Sequence, residues 1–199
     1  MKVFVLVSTK TKPGYFKFGE KPKWLFDIGK GVTILDYQMG LYNKYGLDVW
    51  LVVGYKRIET LEHCARKHYE VQLVYDDEWE KEYNFGEFLL RNYDDMKGGC
   101  LIVFGDLLFK EEVLDYLMSA DADVCRVTND NAFRFSSAGI DAWKYLIENY
   151  DEYNWFSSQT FRKLEELGVS VEISPPLWQY DVDNRMELNT ARSMMRSRV

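Results

Sequence analysis

The run Cys100-Leu-Ile-Val-Phe-Gly-Asp106 limits the possible folds more than any other stretch of the chain. Cys100 to Phe104 are five consecutive apolar residues, without the alternation of a strand that has one wet face. A run of this kind, closed by a turn signal, reads as a strand covered on both sides. Strands covered on both sides belong to parallel sheets sandwiched between helices. The carboxylate that follows, Asp106, then lies at the carboxyl end of the strand, the edge at which open α/β sheets bind ligands.

The rest of the pattern agrees. Val3–Val7, Val49–Tyr55, Val71–Tyr75, Leu101–Phe104, Val124–Val127 and Val169–Ile173 read as strands, and Ala132–Phe135 as a further one. Between them, Thr33–Tyr45, Ile58–His68, Phe85–Met96, Glu111–Ala120, Ile140–Tyr150, Phe156–Leu167 and Asn184–Met195 have helical spacing. Gly46 and Gly168 are the expected C-terminal stops of two of these helices, and Asn184 with Glu187 forms a capping box for the last. Alternating strands and helices predict an α/β chain with a mostly parallel, twisted sheet flanked by helices. We find no repeat, no low-complexity linker and no composition break, so residues 1–199 are expected to form one domain.

Composition removes several function classes. A net charge of −7 argues against a general nucleic-acid binder. The N-terminal apolar run is too short to span a bilayer, which predicts no membrane association. Cys64, Cys100 and Cys125 match no zinc spacing, and an odd number of cysteines fits a reducing cytoplasm. The sequence leaves the oligomeric state open.

Three groups of residues are candidates for chemistry. The segment Ser8–Lys23 leaves the first strand and carries five lysines and two glycines. Lysines supply point charges for phosphate, and glycines admit backbone N–H groups to an anion. Asp106 is the second candidate; the competing reading is an N-cap for the helix that begins near Lys110. The third is Asp181-Val182-Asp183, whose carboxylates project to one side if the segment is extended. Turn chemistry ahead of a helix is an equally good reading of those two aspartates. Separated acidic points facing one crevice are what Mg²⁺ needs, since it is held by few carboxylates together with waters and phosphate oxygens. His63 and His68 are spaced five apart on a helix and receive no role.

Pro22-Lys23, Gly29, Gly54-Tyr55, Gly105-Asp106, Trp178, Asp181-Val182-Asp183 and Glu187-Leu188 follow one another in an order that resembles a known family. The family is the nucleotidyltransferases that activate sugar-1-phosphates and phospho-alcohols, in particular the small cytidylyltransferase-like branch with a GT-A-like fold. The resemblance implies a nucleoside triphosphate, CTP or UTP, a small phosphorylated acceptor as co-substrate, and Mg²⁺ as cofactor. It implies Lys23 and Asp106 as catalytic residues. Asp106, Asp181 and Asp183 would hold the metal. Ser8, Thr9, Lys10, Lys12, Lys23, Tyr83, Asn84 and Gly86 would contact the nucleotide. Arg126, Arg134 and Trp178 are candidates for the acceptor, and the aromatics Tyr150, Tyr153, Trp155, Phe156, Trp178 and Tyr180 for a cage around a quaternary ammonium group.

One segment departs from the family pattern. Where a Gly-x-Gly-x-Arg loop is expected, the chain reads Ser8-Thr9-Lys10-Thr11-Lys12, with no glycine before Gly14. Side chains at Thr9 and Thr11 occupy space that glycines leave open. The departure favours a second reading, a nucleotide- or partner-binding module of the same fold without turnover; a third, from related architecture, is a glycosyltransferase that uses a nucleotide-sugar. The glycosyltransferase ranks last, because an Asp-x-Asp after the central strand would be needed and the chain reads Asp106-Leu-Leu.

Overall fold

The computed structural model describes residues 1–8, 21–77, 85–150, 157–183 and 185–196. In chain order the elements are β1 (Lys2–Val7), a single 3-10 turn (Lys23–Leu25), β2 (Asp27–Gly29), β3 (Val32–Thr33), α1 (Ile34–Lys44), β4 (Asp48–Val53), α2 (Arg57–Lys67) and β5 (Gln72–Tyr75). Then come α3 (Phe85–Met96), β6 (Cys100–Phe104), β7 (Leu107–Phe109), α4 (Glu111–Ser119), β8 (Val124–Arg126), β9 (Ala132–Phe135) and α5 (Ser137–Asn149). The chain ends with α6 (Ser158–Glu166), β10 (Val171–Ile173), β11 (Gln179–Asp181) and α7 (Arg185–Arg196).

Seven strands form one sheet in the order β10-β8-β9-β6-β1-β4-β5. Every pairing is parallel except the two made by β9, which runs antiparallel to β6 and β8. The expected mostly parallel α/β sheet is therefore observed. The most apolar strands are the most central. β1 pairs Lys2 with Asp48 through Val7 with Val53 on one side, and Lys2 with Cys100 through Leu6 with Phe104 on the other.

Two apolar layers cover the sheet. Val3, Val5, Val7, Leu101 and Val103 pack with α1, α2 and α4; Phe4, Leu6, Cys100 and Ile102 pack with α3, α5 and α6. The change of face between α2 and α3 follows from connectivity. The chain moves outward from β1 to β4 and β5, then returns across β1 to β6. Parallel crossovers keep one hand, so reversing direction moves the connecting helix to the opposite face. The reversal lies between β1 and β6, and ligand crevices open at such a switch point.

A third apolar cluster joins Phe26, Ile28 and Ile34 to Leu108, Val182, Leu188 and Ala191. It locks the β2–β3 hairpin, the β7–β11 ribbon and α7 together at the carboxyl end of the sheet. The sequence pattern gave no sign of this layer. β7 and β11 pair antiparallel, with Gln179 opposite Phe109 and Asp181 opposite Leu107. The three cysteines are buried and free. Among the described residues, no helix is long and apolar enough to cross a membrane.

Candidate active site

The turn after β6 is built around Gly105. Its N–H donates to the Leu6 carbonyl at 3.0 Å. A Cβ at this position would lie 2.5 Å from Val7 Cγ1 and 2.8 Å from the Leu6 oxygen. Only glycine lets the strand leave the sheet this close to β1, and the departure sets Asp106 over the switch point. Gln38, fully buried on α1, clamps the same turn. Its Nε2 donates to the Phe104 carbonyl at 2.9 Å and to the Leu107 carbonyl at 2.7 Å, one on each side of Gly105-Asp106. Sequence reasoning missed Gln38; a glutamine on the apolar face of a helix was the available signal. Asp106 does not cap α4, because the N-cap residue is Lys110.

The β7–β11 ribbon brings the distant acidic pair to Asp106. Register places Asp181 across from Leu107, and the Val182 N–H donates to the Asp106 carbonyl at 3.2 Å. The Asp183 N–H donates to Glu187 Oε2 at 2.7 Å, which ties the segment to the first turn of α7. Asn184, the expected partner in a capping box, lies outside the described residues. One carboxylate oxygen from each of Asp106, Asp181 and Asp183 falls within 4.8 Å of the other two.

Lys23 reaches this cluster from the 3-10 turn. Pro22 precedes it with φ −62°, a conformation its ring fixes in advance. Lys23 Nζ donates to Asp106 Oδ2 at 2.6 Å and to Asp183 Oδ1 at 2.5 Å. The side chains of Lys23 and Asp106 are 10% and 13% exposed, whereas that of Asp183 is 51% exposed. Burial disfavours the ammonium, but the Asp106 and Asp183 carboxylates outweigh it and hold the lysine protonated well beyond its ordinary range. Asp181 shifts the other way. Burial first, then the charges of Asp106 and Asp183, push its carboxyl up to about 7 against the opposing pull of Lys23. Asp181 Oδ1 is also buried without a hydrogen-bond partner.

A divalent cation of the Mg²⁺ type fits this donor set. The three ligands are hard oxygens, one of them is a buried orphan, and the mutual repulsion that raises Asp181 is what a cation relieves.

The remaining sequence candidates are placed as follows. Ser8 is fully buried at the end of β1; its carbonyl accepts from the Tyr55 N–H at 2.8 Å, and its Oγ has no hydrogen-bond partner. Gly86 is buried in the first turn of α3. Thr9, Lys10, Lys12, Tyr83 and Asn84 lie outside the described residues, as do Tyr153, Trp155 and Phe156. The structure does not bring Arg134 to the carboxylates. It is level with Leu101, about 16 Å back along the strand direction from Asp106. Its Nη1 donates to the Ala120 and Ala122 carbonyls at 2.7 and 3.0 Å, closing the end of α4. Arg126 pairs with Asp130 at 2.7 Å and lies over the Phe161 ring. Trp178 and Tyr180 pack against the third apolar cluster, on the strand parity opposite to Asp181. Both are half-buried, and the Lys110 ammonium lies over the Trp178 ring.

No family model matches the chain, and no curated protein matches it by sequence. Solved structures do match the fold over nearly its whole length. The CTP:phosphocholine cytidylyltransferase LicC from Streptococcus pneumoniae is similar at a TM-score of 0.69 and 14% identity, over 98% of each chain. HddC from Yersinia pseudotuberculosis, complexed with GMP-PN, is similar at a TM-score of 0.70 and 14% identity, over 98% of this chain and 99% of the other. The inositol-1-phosphate CTP transferase from T. maritima is similar at a TM-score of 0.71 and 16% identity, over 98% of this chain and 94% of the other. The chain therefore has the GT-A-like fold of these nucleotidyltransferases.

Proposed function

We propose that this protein is an Mg²⁺-dependent nucleotidyltransferase. It transfers a nucleotidyl group from a nucleoside triphosphate, CTP or UTP by preference, to a small phosphorylated acceptor of the sugar-1-phosphate or phospho-alcohol class. The observation that carries the reading is the meeting of Asp106, Asp181, Asp183 and Lys23 over the switch point of this fold.

In the reaction, an acceptor phosphate oxygen attacks the α-phosphorus in line with the bond to the β-phosphate oxygen. The new P–O bond forms as that bond breaks, and pyrophosphate leaves with the electron pair. No proton has to be removed from the attacking phosphate oxygen, so no side chain needs to act as a base. The three aspartates would hold the cation, which when bound neutralises phosphate charge and orients the triphosphate. Lys23, held protonated by the neighbouring carboxylates, would act as a point charge for phosphate oxygens rather than as a proton carrier. The third apolar cluster keeps these groups on rigid supports, and the rate would come from positioning and charge neutralisation.

The test is pyrophosphate release across a grid of the four nucleoside triphosphates and a panel of sugar-1-phosphates and phospho-alcohols with Mg²⁺. One productive pair is expected. Asp106→Asn should lower its turnover by at least about a hundredfold, with circular dichroism unchanged. Nucleotide binding without turnover in every pair would instead support the non-catalytic module. Release of nucleoside diphosphate from a nucleotide-sugar would support the glycosyltransferase.

A further inference from the structure

A second group of charged residues gathers beside α2. Lys21, Asp27, Gly31, Thr33, His63, Arg66 and Lys67 line a cavity of about 540 Å³. A neighbouring cavity of about 430 Å³ shares Lys21 and Arg66 with it. The two form one trough in which those side chains are the common wall.

The two linings carry Lys21, Lys56, Arg66 and Lys67 against Asp27, Glu59 and Glu62, in a protein whose net charge is −7. Among the described residues, neither Lys21 nor Arg66 makes an ion pair. The Arg66 hydrogen bond is to a neutral acceptor: Nη2 lies 3.1 Å from His63 Nδ1. His63 is buried, and its other nitrogen, Nε2, lies 2.7 Å from Asp36 Oδ1. A guanidinium can only donate and a carboxylate can only accept. His63 therefore carries its proton on Nε2 and presents the bare Nδ1 to Arg66.

Asp36 anchors this relay. Its oxygens accept from the Tyr69 hydroxyl at 2.7 Å and the Thr33 N–H at 2.9 Å, and Lys67 lies 3.4 Å away. The carboxylate in the trough, Asp27, turns Oδ1 back to the Gly29 N–H at 2.5 Å. In the neighbouring cavity Glu59 is paired with Lys56 at 2.9 Å, which leaves Glu62 as the other acid of the lining. A buried carboxylate, a histidine of fixed tautomer and an arginine in series thus hold a guanidinium fork against an open cavity with Lys21 beside it. Fixed forks of this kind recognise phosphate oxygens in pairs, and a lysine adds a point charge.

We propose that this trough is a second anion site, separate from the carboxylate cluster, that takes a phosphate group. Arg66 and Lys21 contact the phosphate, and His63 with Asp36 positions Arg66. The same chemistry is offered by free phosphate, by pyrophosphate and by a phosphate monoester. The site stands two residues from the Asp106 cluster along the chain, because Lys21 lines it and Lys23 binds the carboxylates.

The chain has two histidines, so His63 is a local reporter. Ring ¹H–¹⁵N spectra of the full chain, assigned with His68→Gln, would be recorded while inorganic phosphate, pyrophosphate or glycerol phosphate is added at constant ionic strength. His63 resonances should shift and saturate with at least one of these and stay fixed with chloride. The anion with the lowest apparent Kd identifies the source. Arg66→Ala should raise that Kd by about tenfold, and Asp106→Asn should leave it unchanged. A His63 signal that ignores all three anions, or responds equally in Arg66→Ala, overturns the proposal. A Kd that falls severalfold in Asp106→Asn also overturns it, because the anion would then be bound through Lys23, whose ammonium that substitution frees. None of these readouts requires turnover, so the outcome is independent of the proposed activity.

Discussion

Lys23 brings to the carboxylates a positive charge of the kind that a divalent cation would add, and this gives the most demanding test of the site. Consider Lys23→Met, which keeps an unbranched side chain, one atom shorter, and removes its charge. Two ion pairs are lost. The one to Asp183 counts for little, since that carboxylate is half exposed. The one to Asp106 is shielded on both sides, and removing one partner of a shielded pair costs about 3–5 kcal/mol. Protonation of Asp181, already pushed up to about 7, returns part of this at low pH. We therefore expect a loss of about 3 kcal/mol at pH 8 that shrinks toward pH 5, because the remaining carboxylates take up protons to relieve their repulsion. Mg²⁺ should return most of it, since a ligand at a hundredfold its Kd contributes about 2.7 kcal/mol. Urea unfolding followed by tryptophan fluorescence, with Mg²⁺ or with EDTA at both pH values, measures all four stabilities. A loss below about 1 kcal/mol in EDTA would refute the electrostatic account. So would a recovery in Mg²⁺ no larger than that of the parent protein.

Four other outcomes follow from the same geometry. Because a cation must displace the Asp181 proton below about pH 7, apparent Mg²⁺ affinity should rise about tenfold per pH unit up to that point and level off above it; titration calorimetry in two buffers of different ionisation enthalpy reads the proton released. The metal-free protein should follow the opposite trend. Its Asp181 value is raised above the ~4 of an unfolded chain, so the native state binds more protons between about pH 4 and pH 7. The stability owed to this group is complete below pH 4, falls across that window and is gone above it, and denaturant midpoints in EDTA check the sign. Gly105→Ala places a methyl group against Val7 and the Leu6 carbonyl, and should cost about 1–3 kcal/mol by thermal or urea unfolding. Gln38→Leu strips donors from the Phe104 and Leu107 carbonyls; about 2 kcal/mol of stability should go, together with Mg²⁺ affinity measured by calorimetry, because the turn that carries Asp106 loses its clamp.

The sheet was legible because burial on both faces writes itself into sequence. Val3–Val7, Val49–Val53 and Cys100–Phe104 are runs with no polar interruption, and each became a central strand. Asp106 was legible for the same reason, as the residue at which such a run ends. The device that completes the site was not. Leu107-Leu-Phe and Gln179-Tyr-Asp are three residues each, too short to display a period of two. Their partner lies about seventy residues away in the chain, a distance no local pattern spans. The placement of the arginines was not legible for a related cause. A guanidinium that caps α4 and one that would bind a phosphate look alike in sequence, and only the register of β9 separates Arg134 from the site. The ribbon is also where the argument for function rests most heavily. Without it, Asp181 and Asp183 would be turn residues ahead of α7, and Asp106 would sit alone at a strand end. Pairing Asp181 with Leu107 commits the fold to a half-buried carboxylate whose Oδ1 is shielded from solvent without a hydrogen-bond partner, next to two others. A purely structural turn has no use for that arrangement, since protein stability is better served by apolar residues in the same place. The proposed cation would bring the positive charge that the placement of Asp181 lacks.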